Sequence, residues 1–286
     1  HERMEIEGGG GGGQADETAN ERAVAALVKA GIRSTRYPLD GDVEMHTLAV
    51  DGDPNVPWVL VPGLGNPASA WGGLLKAIKF QHTALAVDPV GFGLSTGPEA
   101  PTYVDHAEHL RQLLQVRFSG QRVLLVASSM GGLAALELAR RSPQTVAGLV
   151  LIGFGLVDDP AAWRAELDRL WARPEEFMSL AFKVPPRPSE LYREQFEAAR
   201  GRPAFRSYYA ANDLGPTAIA GLEVPVLMIG GFDDQIVEIE VMRATAQLVP
   251  GELVEVARAG HFPERERPEE VVRGIEGFLR GKGLFG

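Results

Sequence analysis

Cysteine is absent from this 286-residue sequence. The chain can therefore form no disulfide framework, no cysteine-ligated zinc site and no thiol nucleophile. Basic residues are in the minority, since 28 lysines and arginines stand against 38 aspartates and glutamates, which gives a formal net charge of -10. A nucleic-acid-binding protein needs a basic surface to neutralise phosphates, so this charge balance argues against a nucleic-acid partner.

Long apolar segments are missing as well. The longest nearly apolar run, 146–157, is shorter than the roughly 20 residues that a membrane-spanning helix needs. The charged N-terminal residues contain no apolar stretch of the kind found in a signal peptide. We therefore expect a cytoplasmic protein that does not bind a membrane. The sequence does not indicate an oligomeric state.

What is present is a regular alternation of apolar runs with segments of helical periodicity, beginning at residue 58. The predicted strands are 58–61, 83–87, 123–127, 146–152, 224–229 and 253–256. The predicted helices between and after them are 67–79, 103–118, 130–141, 239–248 and 268–280. This alternation predicts an α/β fold, with a mostly parallel sheet that is covered by helices on both faces.

The chain before residue 58 follows a different pattern. A glycine run at 8–13 cannot contribute to a core, so 1–16 is predicted to be a flexible glycine-rich segment. A helix is predicted over 17–30, where apolar residues recur at helical spacing. A hairpin around the turn pair Asp40-Gly41 is predicted over 32–50.

One interval, between the predicted strands that end at 152 and begin at 224, contains no strand signal. An apolar stripe predicts a helix around 163–171, and a second helix is predicted over 190–200, after a proline-rich break at 185–188. We interpret the interval as a helical cap inserted into the sheet domain. The predicted division is a core of 17–154 and 222–286 and a cap of 155–221.

The most specific local signal is an apolar strand that leads through Ala127 into Ser129 and Gly131, where a helix begins. A serine that attacks a carbonyl group must stand clear of the backbone on a tight strand-to-helix turn, and the residues two before and two after it must be small. Ala127 and Gly131 meet that requirement. Ser129 is therefore the candidate nucleophile, and Ser128 fills the variable position before it.

Four further segments accompany predicted strands. They are Pro62-Gly63-Leu64-Gly65, Asp88-Pro-Val-Gly91-Phe-Gly93-Leu-Ser95, Gly231-Phe-Asp-Asp234-Gln-Ile-Val237 and Ala259-Gly260-His261-Phe262-Pro263. With the serine turn, they resemble in type and order the motifs of the α/β-hydrolase family, over about residues 47–278. The family usually has glycine where this chain has Ala127, and histidine where it has Pro62.

The resemblance implies a catalytic triad of Ser129, Asp234 and His261, in the chain order expected for this fold. His261 would take the serine proton, and Asp234 would orient the imidazole. Asp233 is the competing acid, and we prefer Asp234 because it stands three residues after Gly231. We expect Asp233 to cap the loop instead.

The same resemblance implies an oxyanion hole formed by two backbone N–H groups, those of Leu64 and Met130. Pro62 replaces the family's histidine in the loop that carries Leu64, so the sequence leaves the shape of that loop open. Because the donors belong to the backbone, the side chains of Leu64 and Met130 are not diagnostic of this role.

Other candidate sites have simpler explanations. His106 and His109 are spaced for a metal pair beside Asp105, but no third ligand is in sight, and we expect a solvated helix face and no metal. Asp88 and Ser95 are interpreted as structural. The glycine clusters near residues 63 and 91 match no nucleotide-binding pattern, so we expect no cofactor.

The function predicted from the sequence is that of a serine hydrolase that cleaves an ester, thioester or lactone of an apolar small molecule. C–C bond hydrolysis, acyl transfer, a lyase reaction or cyclisation on the same triad is the alternative, because the triad is common to all of them. A non-catalytic ligand receptor is a third class.

The predicted cap is rich in aromatic residues, since nine of the 21 aromatic residues of the chain lie within 158–221. These rings either line a pocket or attach the cap to the core. Five arginines of that interval are candidates for contact with an anionic group, namely Arg187, Arg193, Arg200, Arg202 and Arg206.

Overall fold

The computed structural model describes residues 11–184, 189–210, 219–249 and 251–284. The strands are β1 (Arg33–Pro38), β2 (Glu44–Val50), β3 (Asp53–Val61), β4 (His82–Val87), β5 (Val123–Ser128), β6 (Val146–Ile152), β7 (Val226–Gly231) and β8 (Glu252–Val256). The α-helices are α1 (Gly11–Lys29), α2 (Gly72–Ile78), α3 (Tyr103–Phe118), α4 (Gly131–Arg141), α5 (Pro160–Trp171), α6 (Pro174–Ala181), α7 (Ser189–Arg200), α8 (Pro203–Ala210), α9 (Ile239–Ala246), α10 (Pro263–Glu266) and α11 (Pro268–Gly281).

All eight strands form one sheet in the order β1-β2-β4-β3-β5-β6-β7-β8. The hairpin of β1 and β2 joins it antiparallel to β4, and the remaining neighbours are parallel. The predicted α/β fold with a mostly parallel sheet is confirmed. Because the carboxyl ends of the parallel strands lie along one edge, the loops that follow β3, β5, β6, β7 and β8 converge there.

Helices cover both faces of the sheet, which explains why every residue of β5 is buried. One apolar layer, on the side of α3, α4 and α9, includes Leu110, Leu136 and Met242. The other layer, on the side of α2 and α11, includes Leu75 and Phe278. The apolar runs of the sequence therefore mark buried strands, and the amphipathic segments mark the helices that enclose them.

The chain between β6 and β7 forms a helical insert that contains α5, α6, α7 and α8 among the described residues. Sequence periodicity predicted two of these helices, over 163–171 and 190–200. It missed α6 and α8, which have eight residues each. Pro174 and Pro203 stand at the first position of these short helices, where proline is compatible with helical backbone. The proline-rich break at 185–188 lies outside the described residues.

Helix α1 starts at Gly11, earlier than the predicted start at 17. Residues 1–10 of the segment predicted to be flexible lie outside the described residues, whereas 11–16 belong to α1. The helix contacts the insert: Arg22 pairs with Glu194 of α7, and Asn20 Oδ1 accepts a 2.8 Å hydrogen bond from Gln195 Nε2. Within the described part of the chain, no helix combines the length and apolar character needed to cross a membrane.

The face of α3 that carries His106 and His109 is buried, so the expectation of a solvated face was wrong. His106 is 1% exposed, its ring lies 6.0 Å from that of Tyr208 in α8, and neither ring nitrogen has a hydrogen-bond partner among the described residues. No cluster of three metal-ligating side chains occurs in the described ranges. Burial, together with the charge of His109, lowers the pKa of His106 to about 3.

His106→Leu is expected to remove part of the acid sensitivity of the fold. In the unfolded chain the imidazole binds a proton near pH 6.5, whereas the folded protein keeps His106 neutral down to about pH 3. The wild-type free energy of unfolding therefore falls as pH drops below 6.5, by about 2 kcal/mol at pH 5 through this group. Urea unfolding at pH 7 and pH 5 should show that the variant loses about 2 kcal/mol less than the wild type. Equal losses would contradict this account.

Candidate active site

Ser129 occupies a strained turn between β5 and α4, with a φ of 48° in the left-handed region. Its backbone N–H donates to the carbonyl oxygen of Ile152 at 2.6 Å, which fixes the turn against β6. Two residues later, a Cβ on Gly131 would lie 2.4 Å from the carbonyl oxygen of Pro62. The crossing of strand and helix thus requires a small residue there, and the strained turn exposes the Ser129 hydroxyl at the carboxyl edge of the sheet.

His261 follows β8, and its Nε2 lies 2.7 Å from Ser129 Oγ. The ring is 2% exposed and packs beside Gly153, where a Cβ would stand 3.3 Å from Nδ1. The backbone N–H of His261 donates to the carbonyl oxygen of Ala181 at the end of α6. The loop that carries the histidine is therefore anchored to the insert as well as to the sheet.

Asp234 follows β7 and is 5% exposed. Its Oδ2 lies 2.8 Å from His261 Nδ1, and its Oδ1 accepts hydrogen bonds from the backbone N–H groups of Ile236 and Val237 at 2.8 and 2.9 Å. The structure thus brings Asp234, and not Asp233, to the histidine. The expected capping role of Asp233 was wrong, because the loop amides are capped by Asp234, and the Asp233 side chain forms no hydrogen bond within the described residues.

The environment of His261 acts on its proton affinity in two directions. Burial is the largest single effect and lowers the pKa of His261, because a charged ring is poorly solvated in this site. The charge and hydrogen bond of Asp234, with the charge of Glu264, outweigh burial, so the pKa of His261 is raised above 6.5. The imidazole is therefore arranged to accept a proton from Ser129 Oγ.

Leu64 and Met130 both line the cavity in front of Ser129. Met130 directly follows the serine, and Leu64 lies in the loop after β3. Neither backbone N–H donates a hydrogen bond within the described part of the chain. Pro62, which stands where the family has histidine, contacts the serine turn, because its carbonyl oxygen packs against Gly131.

The cavity at Ser129 and His261 has a volume of about 60 Å³. A groove of about 390 Å³ adjoins it between the insert and the loop before α9, and Trp163, Leu167 and Ile236 line both spaces. No lysine or arginine stands among the described residues that line the inner cavity. Ser129 and His261 thus face a largely apolar space that continues into a wider groove.

The aromatic residues of the insert serve both predicted purposes. Three of them line the inner cavity, namely Trp163, Trp171 and Phe177. The others pack against one another and the core, in ring contacts that involve Phe182, Tyr192, Phe196, Phe205, Tyr208 and Tyr209.

None of the five candidate arginines is found beside Ser129 and His261 among the described residues. Arg187 lies outside the described residues, and the other four do not line the inner cavity. Arg193 pairs with Glu175, and Arg200 donates to the carbonyl oxygen of Trp171.

Asp88 is structural, as predicted. Its carboxylate accepts hydrogen bonds from the backbone N–H groups of Ala68 and Leu94 and contacts His46 Nδ1 at 2.7 Å. Ser95 Oγ donates to the Asp88 carbonyl oxygen and accepts from the backbone N–H of His46. This buried network joins the loop before α3 to β2. All the hydrogen bonds described for the Asp88 carboxylate are made to other parts of the core.

Sequence reasoning missed Glu264, which lies in α10 three residues after His261. Glutamate is rarely buried, and the acidic residues that begin α10 and α11 are typical of exposed first helical turns. In the structure Glu264 is 3% exposed, and its Oε1 accepts a 2.5 Å hydrogen bond from Ser128 Oγ. The sequence contains no local signal for this contact, because the two residues are 136 positions apart.

The sheet order and the strand–serine–helix turn are those of an α/β hydrolase. The chain belongs to the alpha/beta hydrolase family, whose sequence pattern matches residues 58–274.

Known proteins of similar sequence include 2-hydroxymuconate semialdehyde hydrolases. The enzyme of Pseudomonas sp. (strain CF600) is 26% identical over 281 residues, covering 88% of this chain and 92% of the relative. That of Pseudomonas putida is 29% identical over 252 residues, covering 78% and 86%. Among solved structures, carboxylesterase CesB (YbfK) from Bacillus subtilis superposes with a TM-score of 0.79 at 20% identity, covering 95% of this chain and 99% of the esterase. This last likeness shows the fold alone.

Proposed function

We propose that the protein hydrolyses carboxylic esters, thioesters or lactones of apolar small molecules through an acyl intermediate on Ser129. The observation that carries the proposal is the continuous chain of contacts from Ser129 Oγ to His261 and on to Asp234, at 2.7 and 2.8 Å, facing an apolar cavity. A nucleophile, a base and an orienting acid within hydrogen-bond reach are the requirements of acyl transfer.

In the proposed reaction, Ser129 Oγ attacks the carbonyl carbon while its proton passes to His261 Nε2. Asp234 stabilises the imidazolium, and the negative carbonyl oxygen accepts hydrogen bonds from the N–H groups of Leu64 and Met130. His261 then gives the proton to the leaving oxygen, or to the leaving sulfur of a thioester, and an acyl-Ser129 ester remains. Water then attacks this ester while one of its protons passes to His261, and His261 returns that proton to Ser129 Oγ as the acid leaves.

A second candidate is hydrolysis of a C–C bond, and the similarity to the 2-hydroxymuconate semialdehyde hydrolases of Pseudomonas favours it. A muconate-type substrate carries a carboxylate, which is costly to bury without a cationic partner. The described lining of the inner cavity offers no such partner, and Arg169 and Arg173, which line the adjoining groove, are each paired with a glutamate of the insert. We therefore favour an uncharged acyl group as substrate.

The size of the inner cavity sets an expected chain-length preference. Since about 60 Å³ is open beside Ser129, p-nitrophenyl acetate or butyrate should be hydrolysed with a higher kcat/KM than the laurate. Trp163 lines both the cavity and the groove, so Trp163→Ala should widen the passage between them and shift the optimum toward longer chains. Phe80→Ala is the matched control, because Phe80 is an exposed aromatic residue before β4, at the opposite edge of the sheet. Laurate as the best substrate of the wild type would contradict the assignment of the acyl site.

The C–C alternative is tested with the same preparation. Hydrolysis of 2-hydroxymuconate semialdehyde with a much higher kcat/KM than any of these esters would replace the ester proposal with the second candidate. Turnover of the esters with no activity on the semialdehyde would support the first.

A further inference from the structure

Glu264 links the loop of His261 to the strand that carries the candidate nucleophile. Its Oε1 accepts the hydrogen bond from Ser128 Oγ, and Ser128 is the last residue of β5, directly before Ser129. Its Oε2 has no hydrogen-bond partner among the described residues. A buried carboxylate with one oxygen unsatisfied destabilises a fold, and a neutral side chain at this position would avoid that cost.

The charge of Glu264 acts on the same histidine as Asp234. Both carboxylates raise the pKa of His261, and Asp234 has the larger effect. An electrostatic contribution of this kind is strong in a buried site, because water does not screen it. Glu264 therefore has two effects: it connects two segments through its hydrogen bond, and its charge raises the pKa of His261.

We propose that Glu264 is a positioning residue for the reaction at Ser129. Through Ser128 it holds the end of β5 in register with the His261 loop, and its charge favours the imidazolium that forms when the serine proton is transferred. The inference rests on the proposed function, because it assigns Glu264 a part in proton transfer from Ser129 to His261.

The charged and titratable groups around the pair are few among the described residues. Asp234 faces His261 from the loop after β7. Arg265, in the same helix as Glu264, places its guanidinium 4.7 Å from the ring centre of Tyr192 in α7. Burial raises the pKa of Tyr192 to about 12, so this phenol stays neutral. Burial also raises the pKa of Glu264 to about 7, against the lowering effect of the Ser128 hydrogen bond.

Glu264→Gln tests the proposal, because the glutamine oxygen still accepts from Ser128 while the charge is removed. The measurement is the pH profile of kcat/KM for p-nitrophenyl butyrate. In the wild type, activity should fall with acid at a pH above 6.5, as His261 becomes protonated. In the variant this acid limb should move to lower pH by about half a unit, since His261 loses the negative charge that Glu264 carries above about pH 7.

Glu266→Gln is the matched control. Glu266 lies two residues further along, and its carboxylate accepts hydrogen bonds from the backbone N–H groups of Gly260 and Val184, at 2.9 and 2.8 Å. Loss of part of this capping should lower Tm without moving the acid limb. If Glu264→Gln does not fold, as judged by circular dichroism, Glu264→Met removes the charge with a side chain of similar length and should give the same shift.

A folded, active Glu264→Gln protein with the wild-type acid limb would overturn the inference about Glu264. The proposed function is tested separately by Ser129→Ala. Ester hydrolysis that survives in Ser129→Ala would overturn the proposed function. An inactive Ser129→Ala together with an unshifted Glu264→Gln profile would overturn the positioning role alone.

Discussion

Ser129→Ala is expected to lower kcat for p-nitrophenyl butyrate by about 10⁴-fold or more while the protein stays folded. The substitution removes the one oxygen that His261 contacts at 2.7 Å, and it leaves the cavity and the N–H groups of Leu64 and Met130 in place. Tm should not fall, because Ala at position 129 adds no bulk and Ser129 Oγ makes no hydrogen bond other than that to His261 within the described residues. Steady-state kinetics and thermal unfolding of the same preparation check both parts.

Ser179→Ala is the control for this substitution. Ser179 lies exposed on α6, and its hydroxyl donates to the carbonyl oxygen of Glu176 at 2.9 Å. Its kcat should stay within about twofold of the wild type, as is usual for a surface substitution away from a site. A Ser129→Ala protein that retains a tenth of the wild-type kcat would refute the assignment of the nucleophile.

Asp234→Asn is expected to lower kcat by about 10³- to 10⁴-fold. Both oxygens of Asp234 accept hydrogen bonds. Oδ2 accepts from His261 Nδ1, and Oδ1 accepts from the backbone N–H groups of Ile236 and Val237. An asparagine must turn its NH₂ group toward one of these partners. If the NH₂ group faces His261, it donates to Nδ1 and holds the imidazole in the wrong tautomer. If it faces the loop, it meets the backbone N–H donors and loses their hydrogen bonds. Either orientation disturbs the base, so kcat should fall far more than KM changes.

Asp233→Asn provides the comparison that separates two adjacent aspartates. The Asp233 side chain forms no hydrogen bond within the described residues, so kcat should remain within about twofold of the wild type. A larger loss of kcat in Asp233→Asn than in Asp234→Asn would reverse the assignment of the acid.

The strands and the long helices could be predicted because buried strands appear as apolar runs and amphipathic helices as a helical period in the local sequence. Strand β5 is buried at every residue and reads as an apolar run, and α3 spans the same residues as its prediction. The short helices α6 and α8 were missed, because eight residues are too few for a clear helical period. Element boundaries such as the start of α1 also shifted, since a glycine run carries no periodicity.

Contacts between segments that are far apart in the sequence could not be predicted from local sequence patterns. His106 was expected at a solvated face because nothing local shows that Tyr208 of α8 returns to cover α3. The buried pair of Ser128 and Glu264 depends in the same way on two chain segments that meet only in the folded protein. The positions of Ser129, Asp234 and His261 were predictable because each follows a strand of a parallel sheet, where loops share one edge.

Titration with a fluorophosphonate tests the central claim, that hydrolysis proceeds through Ser129, most directly. Residual hydrolysis of p-nitrophenyl butyrate is followed as the reagent is added, and the modified residue is mapped by peptide mass spectrometry. We predict that activity falls in proportion to labelling, that the adduct maps to Ser129, and that Ser129→Ala takes up no label at that peptide. A folded protein that loses its activity through an adduct on another residue, or that hydrolyses the ester while Ser129 stays unlabelled, would contradict the account.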